Sequence, residues 1–142
     1  MEKVKVFLDS NVVFSICWSG KEKSRSYLLY ELQKMGFFDI FISRLVHDET
    51  KFNLEIKRVE AIPFFEELIR HSTIIPDIAS SAGEDEAALL PDNDRIIFSS
   101  AVFHRMDFFL TGNRRDYSRL YHKKISRTIV LTPADFLNKR YL

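Results

Sequence analysis

The sequence predicts an α/β fold in which helices on both faces enclose a central sheet of five parallel strands. Three observations lead there. Short runs rich in β-branched and aromatic residues occur at Val4–Leu8, Asp39–Ser43, Thr73–Ile75, Phe108–Thr111 and Thr128–Leu131, each too short for a helix. Helix-length segments lie between them, and such alternation favours parallel strands joined by right-handed crossovers. The 142 residues are close to the commonest size of one domain, and 46% of them are hydrophobic, enough for a core, so residues 1–142 are read as a single domain.

Taken in order, the first strand, Val4–Leu8, ends on Asp9, and Ser10 and Asn11 begin the next element. A helix over Ser24–Met35 is closed by Gly36, because glycine tolerates the left-handed turn that ends helices. After the second strand a helical pattern runs over Arg44–Arg70, broken near Pro63. Helices over Glu84–Leu90 and Asp94–Met106 are separated by Pro91, and Pro133 opens the last, Pro133–Tyr141, where a first turn accepts proline. No internal repeat, low-complexity segment or linker divides the chain.

Composition removes several function classes. One cysteine, Cys17, permits neither an internal disulfide nor a thiolate metal site, which points to a reducing cytoplasm. No secretory signal is recognisable, and no stretch reaches the roughly 20 apolar residues that span a bilayer. Four glycines, with neither Gly-x-Gly-x-x-Gly nor a P-loop, set aside a nucleotide-binding Rossmann domain. The net charge of +1 is uninformative, but its distribution is not. Asp77, Glu84, Asp85, Glu86, Asp92 and Asp94 form an acidic stretch, whereas Arg114, Arg115, Arg119, Lys123, Lys124 and Arg127 face only Asp116 in theirs. Such segregation suits a site that holds a cation and tolerates a polyanion, and equally suits two solvated faces.

In a sheet of this type ligands bind beyond the carboxyl ends of the strands. Asp9 stands at the tip of the first, central strand, either as a helix cap or as a site residue. Glu49 falls on the apolar stripe of Leu45, Phe52, Ile56 and Val59. A carboxylate on a core-facing stripe is costly unless paired or metal-bound, so Glu49 is a ligand, half of a buried ion pair, or an edge position. Asp94 opens a helical run through Ile97 and Ala101, where it is either an N-cap or a site residue, with Asp92 as the competing cap. Gly112-Asn113-Arg114-Arg115-Asp116 follows the fourth strand as a polar turn at the same end of the sheet. The four histidines, His47, His71, His104 and His122, have no recognisable metal spacing and are read as structural or surface residues.

Together Asp9, Glu49, Asp94 and Asn113 with Asp116 resemble a PIN domain. The pieces are Phe7-Leu-Asp-Ser-Asn11, Ser43 with Glu49 six residues on, Asp94 followed by Ile97 and Ala101, Leu-Thr-Gly112 before a polar pair, and Thr132-Pro-Ala-Asp-Phe-Leu137. Their order covers nearly the whole chain. The resemblance implies a three-layer α/β/α fold, similar to FEN-type nucleases, with strand order 3-2-1-4-5. It also implies hydrolysis of RNA with Mg²⁺ or Mn²⁺, as in the toxins of VapBC-type toxin–antitoxin pairs. One departure matters: Asn113 stands where members usually carry the Asp of Thr-Gly-Asp, and Asp116 comes one residue later than the common spacing. A neutral ligand withdraws one charge and should lower metal affinity.

Residue by residue, the resemblance implies catalytic carboxylates at Asp9, Glu49, Asp94 and Asp116, and a metal held by Asp9, Glu49, Asp94 and Asn113. Ser10, Asn11 and Thr111 would orient those groups through hydrogen bonds. RNA backbone would cross Arg114, Arg115, Arg119 and Lys123, with Tyr117 and Tyr121 as weaker candidates for base stacking. The implied partners are RNA, an antitoxin protein that blocks the site with a basic side chain, and a second copy in a homodimer. Two other readings stand beside this one. A PIN fold without catalysis would serve as an RNA- or protein-binding module, with Asn113 as its support. A phosphatase or phosphoacceptor domain would use Asp9 as nucleophile, and the amide at Asn11 counts against a phosphatase of the haloacid dehalogenase kind.

Overall fold

A computed structural model describes residues 3–20, 25–78 and 84–138. The five expected strands are all present, in parallel and in the expected order, and a sixth joins them. The strands are β1 (Val4–Leu8), β2 (Phe38–Ser43), β3 (Thr73–Ile75), β4 (Phe108–Leu110), β5 (Lys124–Ile125) and β6 (Thr128–Leu131), arranged β3-β2-β1-β4-β6-β5. The extra strand, β5, pairs antiparallel with β6 across a tight turn in which Ser126 has a φ of 55°. Two residues are too few to show any periodicity, so Lys124–Ile125 could not be read as a strand.

β1 is central, paired in parallel with β2 on one side and β4 on the other. A strand enclosed by neighbours and covered on both faces reads as a continuous apolar run. Accordingly Val6, Phe7 and Leu8 are all fully buried, as are Phe109 and Leu110 of β4. Phe7 and Phe109 are register partners and stack at 5.4 Å, and Phe98 and Tyr117 pack on Phe109 from the covering helices. On the other face Phe136 meets Phe38 and Phe108 edge-on.

The helices are α1 (Ser10–Ser19), α2 (Tyr27–Lys34), α3 (Arg44–Lys57), α4 (Ile62–Arg70), α5 (Glu84–Ala87), α6 (Asp92–Phe103), α7 (Arg114–Tyr117) and α8 (Pro133–Asn138). The element that Ser10 begins is therefore a helix. Val12, Val13, Ile16 and Cys17 are all buried, which leaves its sequence with little of the amphipathic contrast that marks a helix. The break in the long helical pattern falls at Arg58, followed by a 3₁₀ turn over Val59–Ala61, with Pro63 in the first turn of α4. Gly36 ends α2 with a φ of 89°, a conformation natural to glycine. Ser24 and residues 139–141, the outer ends of two expected helices, lie outside the described residues.

α3 corrects the expected core stripe. Its buried residues are Val46, Thr50 and Leu54, whereas Phe52, Ile56 and Val59 are exposed. Both stripes have helical spacing, and the polar Thr50 made the true inner face look like the outer one. No helix among the described residues is long and apolar enough to cross a membrane.

Phe109 is the junction of the central aromatic stack. Phe109→Ala should lower unfolding free energy by about 3–5 kcal/mol, read from urea denaturation followed by far-UV circular dichroism.

Candidate functional site

The carboxyl ends of the parallel strands gather the expected acids. Asp9 continues β1 by donating its backbone N–H to Leu110 O at 3.0 Å, then caps α1 by accepting from Ser10 N at 2.9 Å. The cap and the site position are thus the same residue. Its other carboxylate oxygen accepts from Thr111 Oγ1 at 2.8 Å and from Asn11 Nδ2 at 3.0 Å. Only 2% of Asp9 is exposed. Burial raises its pKa above the ordinary aspartate value, the hydrogen bonds from Thr111 and Ser10 oppose that shift, Glu49 adds to it, and Asn11 opposes it.

Glu49 reaches the site from α3, on a half-buried edge of the helix rather than on its core stripe. It accepts from Ser10 Oγ at 2.8 Å and from Asn93 Nδ2 at 3.2 Å. Ser10 therefore holds two carboxylates, Asp9 through its backbone and Glu49 through its hydroxyl. Asp94 lies in the first turn of α6, which begins at Asp92 behind Pro91, so Asp94 is not the cap that its position suggested. Its carboxyl is pushed up to about 6, first by burial and then by the negative charges of Asp9, Asp116 and Glu49. Four acids from separate elements thus share one electrostatic neighbourhood.

Asn113 caps α7. Its Oδ1 accepts from Asp116 N at 3.2 Å, its Nδ2 donates to Asp116 Oδ2 at 2.9 Å, and its backbone N–H donates to Thr111 Oγ1 at 3.1 Å. Asp116 also lies 3.5 Å from Arg115. Gly112 closes the turn against Asn11, donating to its Oδ1 at 2.7 Å; a Cβ on Gly112 would come 3.2 Å from that oxygen.

Asp9, Ser10, Asn11, Asp94 and Asn113 line a cavity of about 260 Å³. Asn53 and Lys57 line it as well, and sequence reasoning missed both. They follow Glu49 at intervals of four, so once Glu49 is placed in the site its helix face carries them there too. Asn93, the second donor to Glu49, was also missed. Tyr117 is buried against Phe98 and Phe109 and cannot stack on a base, and Tyr121 donates its hydroxyl to Thr111 O at 2.8 Å. Arg114, Arg115, Arg119 and Lys123 are all exposed. The histidines are dispersed: His47 meets Asp48, His71 packs on Tyr30, His104 contacts Pro76 O and His122 meets Asp135.

Among the described residues no basic side chain forms an ion pair with Asp9, Glu49 or Asp94. Nor does any group of three or more acidic, histidine or cysteine side chains form a ready metal cage. Mg²⁺ does not need one, since it retains several waters and commonly takes only one or two carboxylates directly. A hard divalent cation fits this donor set: carboxylates drawn together, one deeply buried, with no ion pair at Asp9, Glu49 or Asp94 among the described residues.

No protein-family model matches the sequence, and no curated protein matches it. The structure is similar to a chain of VapBC2 from Rickettsia felis, solved by crystallography bound to a DNA fragment from their promoter. The two align with a TM-score of 0.63 at 20% identity, over 91% of this chain and 98% of that one. The likeness shows the fold, a PIN-like α/β arrangement with a mainly parallel central sheet.

Since the folded-state pKa of Asp94 lies above its ordinary value, its charged form opposes folding. This group favours the fold at low pH, and that contribution is lost as pH rises through about 6. In EDTA, Asp94→Asn should melt a few degrees above wild type at pH 7.5, by roughly the shift that 1 kcal/mol gives a domain of this size. The difference should close as pH falls toward 4, as differential scanning calorimetry across that range would record.

Proposed function

We propose that this chain is a metal-dependent endoribonuclease that hydrolyses RNA phosphodiester bonds in the cytoplasm, and that it is the toxin of a toxin–antitoxin pair. The observation that carries the proposal is the convergence of Asp9, Glu49, Asp94 and Asp116 with no ion-paired cation at the first three. Chemistry on a phosphodiester requires an activated water and neutralisation of charge growing on the phosphate. A bound Mg²⁺ or Mn²⁺ supplies both, by acidifying water and by withdrawing electron density from the phosphate oxygens.

Asp9, Glu49 and Asp94 would hold the cation, directly or through water, with Asn113 or Asp116 on its outer side. Asp9 needs its orientation fixed, because a carboxylate free to rotate would present its lone pairs differently at each turnover. Thr111, Asn11 and the backbone of Ser10 hold it from three directions. The Ser10 hydroxyl and Asn93 do the same for Glu49. Asn113 keeps Asp116 beside the cluster while Arg115 offsets part of its charge. Exposed Arg114, Arg115, Arg119 and Lys123 would carry the RNA backbone across this end of the sheet. Cys17 takes no part, since burial raises its thiol to about 12 and keeps it protonated.

The structural likeness to VapBC2 supports an antitoxin partner for this chain. The Asn113 substitution favours a second reading, a PIN-fold module that binds RNA or protein without cutting.

Purified protein should cleave an unstructured RNA with Mg²⁺ or Mn²⁺ and stop in EDTA. Asp9→Asn should reduce the rate by about 100-fold or more, because a fixed carboxylate in a metal site contributes at least that much. Millimolar Mn²⁺ should raise the melting temperature of wild type but not of Asp9→Asn. Intact RNA with both metals, together with retained RNA binding, would overturn the nuclease and establish the binding module.

A further inference from the structure

A second cavity, also of about 260 Å³, lies on the other side of Asn11 from the acids. Its polar lining includes Asn11, Ser15, Ser26, Arg25, Arg114 and Thr132, and no carboxylate contributes to it. Arg25 comes from the turn before α2, Arg114 from the first residue of α7, and the fold brings them to one opening. Arg25 donates to Asn138 Oδ1, a neutral acceptor. Among the described residues neither guanidinium pairs with an acid. Two guanidinium groups at one opening repel each other, and an anion between them removes that cost. The planar fork of arginine suits phosphate in particular, because two N–H groups can meet two phosphate oxygens.

Asn11 is the wall between the two cavities. Its amide N–H groups donate to Asp9 and Thr111 on the acid side, and its carbonyl accepts from Gly112 N. Because Asn11 lines both cavities, a nucleotide chain with one phosphate at the acids would meet the second cavity as it continues past that side chain.

We infer that the cavity bounded by Arg25, Arg114 and Asn11 is a phosphate subsite that grips the single-stranded RNA backbone next to the scissile bond. Arg25 is its distinguishing residue, because Arg114 stands on the basic turn in any case. The inference rests on the ribonuclease reading for its substrate, while the cavity itself does not depend on cleavage.

The test measures binding of a fluorescent single-stranded RNA by anisotropy with Ca²⁺ in place of Mg²⁺, over a range of salt. Arg25→Ala, Arg114→Ala, the double variant, Arg25→Lys and Arg127→Ala are compared. Arg127 lies at the opposite end of the strands beside Asp107 and serves as a control for general charge loss. Arg25→Ala should weaken binding about tenfold and lower the log–log salt slope by about 0.7, the share of one single-strand phosphate. If both arginines hold one phosphate, the double variant should lose less than the product of the single losses. Arg25→Lys should recover part of the affinity.

A 5′-phosphorylated probe and a 5′-hydroxyl probe separate two sources of the phosphate: equal losses identify an internal phosphodiester, and a loss confined to the first identifies a chain end. Wild-type affinity and slope in Arg25→Ala, or an equal loss in Arg127→Ala, would overturn the subsite. Cleavage is assayed separately with Mg²⁺. A wild type that cuts RNA while Arg25→Ala binds normally keeps the nuclease and removes the subsite. A wild type that does not cut, but loses binding through Arg25→Ala, does the reverse.

Discussion

A carboxylate buried at the tip of the central strand must be stabilised from every side, and much of the geometry around Asp9 follows from that demand. Desolvation works against its charge, so three protein donors converge on it: the first N–H of α1, the Asn11 amide and the Thr111 hydroxyl. Each belongs to an element whose path is otherwise set by packing. α1 must start at Ser10, and β4 must lie directly beside β1 so that Thr111 arrives opposite Asp9. Leaving one buried acceptor without its donor typically costs about 1–3 kcal/mol, enough to matter in a domain of marginal stability.

Collecting further acids around Asp9 makes this end of the sheet electrostatically unfavourable in the absence of a cation. The opposing contribution comes from the sheet and the helices over it, where Phe7, Phe98, Phe109 and Tyr117 form a continuous aromatic stack beneath the acids. The rigidity of that stack fixes the ends of β1 and β4, and through them Asp9 and Thr111. Stability and site geometry thus share the same side chains, while the acids oppose the fold that positions them.

The charge segregation along the chain becomes a spatial one across Asn11. Acids from the tip of β1, from α3, from α6 and from α7 act on one another on one side, while Arg25 and Arg114 line the cavity on the other. A polyanion with a metal-neutralised reacting phosphate requires both environments at close range. The side chain of Asn11, neutral and hydrogen-bonded on both its nitrogen and its oxygen, separates them without adding charge to either.

The sequence by itself determined the five parallel strands, their order once the motifs were recognised, and the place of Asp9 at the tip of the first strand, because strand periodicity and residues at strand ends are local properties. Other features were not local. Glu49 was found through a stripe that turned out to face solvent, since two faces of α3 have the same spacing and only packing chooses between them. α1 hid because burial on several sides removes amphipathic contrast, and β5 hid because its pairing with β6 is a contact rather than a pattern. Tertiary structure alone decided that Ser10 bridges two carboxylates, that Asn53 and Lys57 share the acid cavity, and that Arg25 and Arg114 line one opening. Those pairings join residues far apart in the chain, and no rule of spacing brings position 25 to position 114 until the sheet has ordered the loops at its edge.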